Sequence, residues 1–439
     1  MAMTEHQLTS GPGGRILTNI GVWSPDSRWI AYDTRSDPAG ERFDGVRIEA
    51  VNVFTREVRV LYEARNGAAC GVVTWHPRRQ RIIFIHGPEH PTPEWTYGAS
   101  RRRGVWLDVD PPGTPVNLDA RDLTPPFTPG ALRGGSHVHV YRPDGQAVSF
   151  TYEDEVLRRF TEPGPDHDLN QRNVGVSVPA GPVRVKRDHP RNHDGAWFTV
   201  LVTRTTALPR PGSNDITRAY EEGWVGTNGY TRADGERQRS ALAFLGDVRS
   251  REGRKVTEVF IVDLPEDLTR PGDGPLAGTE TRLPFPPKGV RQRRLTFTTH
   301  RRHPGVQGPR HWVRSSPDGE RLAFLMKDDA GVVQLWTVSP RGGPPRQWTR
   351  GEHPVASAFS WSPDGRWVAH VMDHSVCVTD MTHGRTRRLT PRHADATSPR
   401  PEACVFSPDG RWIAYVRRMP DAAGRWSNQI FVVAMPEDW

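Results

Sequence analysis

The chain has 439 residues, of which only 35% are hydrophobic, a low share for an α/β enzyme of this size; its 42 glycines and 41 prolines, outside any low-complexity run, point to many short strands and turns. The net charge of +8 fits either an Arg-rich solvated surface or a basic pocket for an acidic ligand. No zinc-finger spacing and no basic helix is present, which argues against nucleic acid as a partner. Cys70, Cys377 and Cys404 are odd in number and widely spaced, so no disulfide framework is expected. Met1 to Gly14 has neither a basic n-region nor an apolar h-region, and no apolar run reaches membrane-spanning length. The expectation is a soluble cytoplasmic protein that does not associate with membranes.

Taken in chain order, one word recurs: an apolar strand, Ser-Pro-Asp-Gly, then a second apolar strand. Its copies are Trp23-Ser24-Pro25-Asp26-Ser27, Trp75-His76-Pro77-Arg78, Tyr141-Arg142-Pro143-Asp144-Gly145 and a weak Asn192-His193-Asp194-Gly195. Three more follow at Ser315-Ser316-Pro317-Asp318-Gly319, Trp361-Ser362-Pro363-Asp364-Gly365 and Phe406-Ser407-Pro408-Asp409-Gly410. The word is a β-hairpin: Pro fixes φ, Asp bonds its own backbone, and Gly accepts positive φ. A second word, Leu-Thr or Trp-Thr, ends the units at Leu123-Thr124, Leu295-Thr296, Trp348-Thr349 and Leu389-Thr390. It also stands at Leu8-Thr9, ahead of any blade, while the chain ends in the strand Gln429-Ile430-Phe431-Val432-Val433.

Seven units imply an all-β, seven-bladed β-propeller of the TolB/WD40-like kind, one domain over residues 1–439. The N-terminal strand, residues 5–10, completes blade seven and leaves no open edge there. Blade four carries a long insertion at about 203–293. Within it Ile216 to Trp224 reads as a short helix, and the insertion is expected to lie over one channel mouth.

The inner strands line the channel. Counting back five residues from the Ser of each word gives Asn19, Gly71, His137, Arg187, His311, Ser357 and Glu402, a polar ring that suggests a pocket. The residues just before the Ser are Trp23, Trp75, Tyr141, Arg191, Ser315, Trp361 and Phe406, a mostly aromatic column that packs between blades. His137 and His139, two apart on a strand, point the same way, which suits one divalent metal (Mn, Zn or Ca), one anionic ligand, or hydrogen bonding in the wall. Asn19, Arg187 and Glu402 are candidate substrate-binding residues, and Trp224, beside Glu221 and Glu222, offers an aromatic platform. The loop His86 to Arg103, with Trp95 and Tyr97, is placed near a mouth. There is no Gly-x-Ser-x-Gly elbow, phosphate loop or dinucleotide fingerprint, so no organic cofactor is expected.

The Ser-Pro-Asp-Gly and Leu-Thr words resemble TolB-type propellers. Nearly end to end, the chain also resembles a TolB-like enterobacterial family of unknown function. Phe84 to Glu89, Thr128 to Val140, Arg218 to Gly226 and Pro309 to Arg314 carry that likeness. More distantly it is similar to oligogalacturonate lyases, cytoplasmic propellers that hold a divalent metal through His and Gln and use a His base. That resemblance implies a metal set drawn from His137, His139, His311 and Gln307, with the chain departing from those enzymes in placing its His-x-His in another blade than Gln307. The corresponding chemistry would be a carbon–oxygen lyase: Arg133 or the metal neutralises a uronate carboxylate, and His137 or His311 takes the proton. The ligand would be a small acidic compound or saccharide in the channel. The competing reading is a TolB-like scaffold that binds a peptide without catalysis.

Overall fold

The computed structural model describes residues 3–37, 39–158 and 171–436. Seven four-stranded antiparallel sheets follow one another along the chain. Their inner strands are Gly14–Ile16, Cys70–Trp75, Gly134–Tyr141, Ala219–Trp224, Arg314–Ser315, Ser360–Trp361 and Val405–Phe406. The molecule is a seven-bladed β-propeller. Glu5–Gln7 pairs antiparallel with Trp426–Ala434, Glu5 opposite Val433, so the N-terminal strand is the outer strand of the last blade.

The hairpin word works through its serine and aspartate. In blade one, Ser24 Oγ donates to Asp26 Oδ1 at 2.5 Å and accepts the N–H of Trp29 at 2.9 Å. The same Ser Oγ bond to the fifth residue on recurs at Ser316, Ser362 and Ser407. Gly319, Gly365 and Gly410 supply φ of 79°, 72° and 74° at the turn, and Ser27 takes φ 58° in blade one. The Leu-Thr word has an equally local cause. The Thr hydroxyl accepts a third-strand N–H beyond the end of the outer strand: Val259 to Thr296, Leu335 to Thr349, Val376 to Thr390. Thr9 takes the Ile430 N–H at 2.9 Å, the same bond made by the opposite end of the chain. Leu123-Thr124 is not such a copy. In blade two Asp119 accepts the Gly104 N–H instead, and in blade three the role falls to Thr203.

Blade four corrects the sequence reading. Ala219–Trp224 is a strand, the innermost of that blade, and not a helix. Its three partners, Ala241–Arg249, Lys255–Asp263 and Arg291–Arg294, also lie almost wholly inside the stretch 203–293. That stretch is therefore the blade itself with two excursions. Its hairpin word is replaced by Val225-Gly226-Thr227-Asn228-Gly229 and a small ribbon pairing Tyr230–Thr231 with Arg237–Gln238. Asn192 to Gly195 is a largely buried segment bridged to Arg121 and Val183, and Phe198–Leu201 is the outer strand of blade three. The excursion over 264–290 contributes no residue to the lining of either mouth cavity. It is held to the flank of blade three by Arg133, which donates to the carbonyls of Thr279 and Arg282.

The core is apolar and divided into separate clusters, most of them between adjacent blades. Blades three and four share Val140, Val174, Trp224, Phe244 and Phe260, and blade seven meets blade one through Leu8, Val22, Trp23, Val405 and Ile430. Cys70, Cys377 and Cys404 are free thiols in this core. Among the described residues no helix is long and apolar enough to cross a membrane.

Candidate functional site at the channel mouth

Three inner strands carry a bulge at the same position, between Gly71 and Thr74, His137 and Val140, and Tyr220 and Gly223. In each, the residue after the first of these has a left-handed backbone: Val72 φ 56°, Val138 φ 57° and Glu221 φ 56°. The bulge re-aims the neighbouring side chains. It separates His137 from His139, which do not point the same way. His139 is wedged toward blade two, where Nε2 lies 3.0 Å from Ser136 Oγ and the ring blocks any side chain at Gly104. His137 faces the channel mouth opposite the hairpin words.

That mouth holds a cavity of about 560 Å³. Arg35, Arg102, Arg172 and Arg310 line it with His137, Asn19 and Glu402. Arg35, Arg172 and Arg310 are held by carboxylates: Asp33 at 2.7 Å, Glu153 at 2.9 Å and Glu221 at 2.8 Å. Arg102 has no carboxylate partner among the described residues. It donates to the Ala99 carbonyl at 3.2 Å and the Tyr97 hydroxyl at 3.3 Å. Phe43 forms an aromatic shelf, stacked on Tyr97 at 4.7 Å and capped by Arg35 at 4.8 Å, while Arg310 lies 4.6 Å over Trp312.

The His137 ring makes no hydrogen bond among the described residues, and its Nδ1 is buried without a partner. Burial, and then the charges of Arg102, Arg172 and Arg310, hold its pKa well below the ordinary 6.5. It is a neutral imidazole among guanidinium groups. Bringing an anion to those groups would offset the repulsion that adds to the effect of burial.

The other sequence candidates have different places. His311 uses both ring nitrogens in the wall: Nδ1 donates to the Pro309 carbonyl at 2.8 Å and Nε2 accepts the Leu325 N–H at 3.1 Å. Arg133 is fully buried, paired with Asp154 at 2.8 Å, and is not part of the cavity lining. Gln307 donates to the Pro304 carbonyl at 2.7 Å. Arg187 sits on the surface with Asp194, because the register that put it on an inner strand belongs to Ala219–Trp224, where Tyr220 holds the equivalent position. Trp224 lies at the other mouth and donates its Nε1–H to the Val140 carbonyl at 3.0 Å. Asn19 and Glu402 do line the cavity, and Glu402 Oε2 is buried without a partner.

A divalent ion does not fit this donor set. Among the described residues no three His, Cys, Asp or Glu side chains are grouped to hold one. His139 faces another blade and His311 is committed to backbone. The arginines that line the cavity were not identified from the sequence, although Tyr97 and Arg102 lie in the loop placed near a mouth. Arg310 adjoins a candidate histidine, and Arg172 follows no recurring word.

The fold and this cavity define a seven-bladed propeller with a basic central pocket. The family model described as "Protein of unknown function (DUF3748)" matches residues 69–193. The chain belongs to the family of the uncharacterized protein YidR of Escherichia coli (strain K12), to which it is 50% identical over 396 residues, 89% of this chain and 90% of that one. Two oligogalacturonate lyase structures share the fold. The enzyme from Vibrio parahaemolyticus has a TM-score of 0.60 at 10% identity, covering 100% of this chain and 95% of that one. An oligogalacturonate lyase in complex with manganese has a TM-score of 0.58 at 11% identity, covering 99% and 94%.

Proposed function

We propose that the basic mouth binds a small acidic saccharide of the uronate type and that His137 acts on it as the base of a carbon–oxygen lyase. The observation that carries this reading is the free neutral imidazole of His137 beside Arg102, a guanidinium without a carboxylate. In a uronate the proton on the carbon next to the carboxylate is acidic only when the carboxylate charge is neutralised. Arg102, Arg172 and Arg310 supply that charge. His137 would take the α-proton, a carbon–carbon double bond would form, and the bond to the β-oxygen would break, that oxygen leaving with a proton from solvent. The fold shared with oligogalacturonate lyases supports the substrate class by analogy. In this reading Arg102 would supply the positive charge that a metal would otherwise bring to the carboxylate.

The test is to incubate the protein with galacturonate oligomers and follow the ultraviolet absorbance of the conjugated product, beside His137→Gln. Absorbance that grows with the parent and falls on the order of a hundredfold or more in the variant is expected. Oligomer binding without product would leave a saccharide receptor without catalysis. Neither binding nor product would sink the proposal.

A further inference from the structure

The opposite mouth, where the hairpin words converge, is a second cavity of about 370 Å³. With Trp224 in place of Arg191, every member of the aromatic column lines it, together with the prolines of the hairpin words. Its lining is largely apolar, yet two buried donors in it lack partners. One is Trp75 Nε1. Trp23, Trp224 and Trp361 each donate Nε1–H to a carbonyl of the preceding blade, at Val405, Val140 and Arg314, each at 3.0 Å; Trp75 does not.

The other is Nη1 of Arg314, a side chain only 5% exposed. Arg314 leaves blade five and reaches Asn19 of blade one, to which its Nη2 donates. Asn19 lines the basic cavity and Arg314 the apolar one, so their contact joins the linings of the two cavities. Nη1 lies beside Gly223, another residue of the apolar lining. The carboxyls of Glu222 and Glu221 are close enough to act on the charge of Arg314, but neither forms an ion pair with it. Glu221 is paired with Arg310; Glu222 accepts from Thr151 through Oε2 at 2.9 Å, its Oε1 is buried without a partner, and burial pushes its pKa up to about 7, which weakens it as a counter-charge for Arg314. A buried guanidinium with an idle donor at the base of an apolar funnel is costly unless an anion meets it.

We propose that this mouth is a binding site for an aromatic monocarboxylate, its ring held among the tryptophans and prolines and its carboxylate accepting from Arg314. The apolar wall selects a flat hydrophobic body, and the single cation at its base selects one negative charge. The site is separate from the basic mouth and does not depend on the lyase reading.

The test is calorimetric titration of the parent protein with naphthoate and with naphthamide, which has the same ring and no charge. Naphthoate is expected to bind more tightly by on the order of tenfold, the usual effect of a hydrogen bond to a charged group. Arg314→Met, shown folded by circular dichroism, is expected to lose that preference while keeping naphthamide affinity. Equal affinity of the two compounds for the parent overturns the proposal, as does saturable binding of neither. The comparison within the parent needs no variant to fold.

Discussion

The two mouths of the channel are made by opposite ends of the same inner strands, yet one is apolar and the other basic. At the hairpin end the turn dictates the residues. Ser, Pro, Asp and Gly recur because the turn geometry needs them, and the aromatic before them packs on the preceding blade, as Trp23, Trp224 and Trp361 show. At the other end each inner strand is entered from a connection of its own, and three of the seven are bent by bulges. The side chains there differ from blade to blade, and unlike residues such as Arg102, Arg172, Arg310 and His137 come together. A repeat thus makes one face uniform and leaves the other free to carry chemistry.

Arginine truncation separates binding from folding. The largest effect is expected at neither mouth. Arg133→Met would remove the buried ion pair with Asp154 and release the 264–290 excursion, at a cost of about 3–5 kcal/mol in denaturant unfolding. Arg102→Met, by contrast, should leave stability nearly unchanged. If Arg133→Met is as stable as the parent, the structural role given to it is wrong.

Acid should act next, through two buried histidines, His139 and His311. Burial lowers the pKa of His311 to about 4 and of His139 to about 3. Above the ordinary 6.5 these groups are neutral both folded and unfolded. As the pH falls from about 6.5 toward 4 the unfolded chain takes up protons that the folded one refuses, so stability declines across that window. Unfolding curves at stepped pH should show the decline, with a shallower slope in His311→Gln. An unchanged slope in that variant would mean His311 is not held neutral by the wall.

Arg102→Met should weaken galacturonate oligomer binding by on the order of tenfold in calorimetry, since it removes one charged donor. Naphthoate, bound at the other mouth, should be unaffected. Loss of both affinities together would show that the mouths are not independent sites.

The smallest effect tests the uniformity of the hairpin end. Ser24→Ala, Ser362→Ala and Ser407→Ala each remove the same pair of hydrogen bonds. Each should cost about 1 kcal/mol. Widely different costs would contradict the idea that this end is set by local turn chemistry.

The amino-acid sequence by itself determined the propeller, the hairpin words of six of its seven blades and the closure of the ring. The Ser-Pro-Asp-Gly turn and the Thr9 hydroxyl bond are local or strictly repeated, so their words are visible in one dimension. Asn19, His137 and Glu402 were likewise found at the basic mouth by counting along those words. Blade four was not legible, because a glycine-rich turn and an inserted ribbon replace its word, and Ala219–Trp224 was read as a helix. Nor could the sequence show that Val138 turns left-handed, which parts His137 from His139, or that Arg133 and His311 spend their donors on the fold. Tertiary structure decided those points. A strand's period gives the side a residue faces only while the strand is regular, and which charges meet depends on blades far apart in the chain.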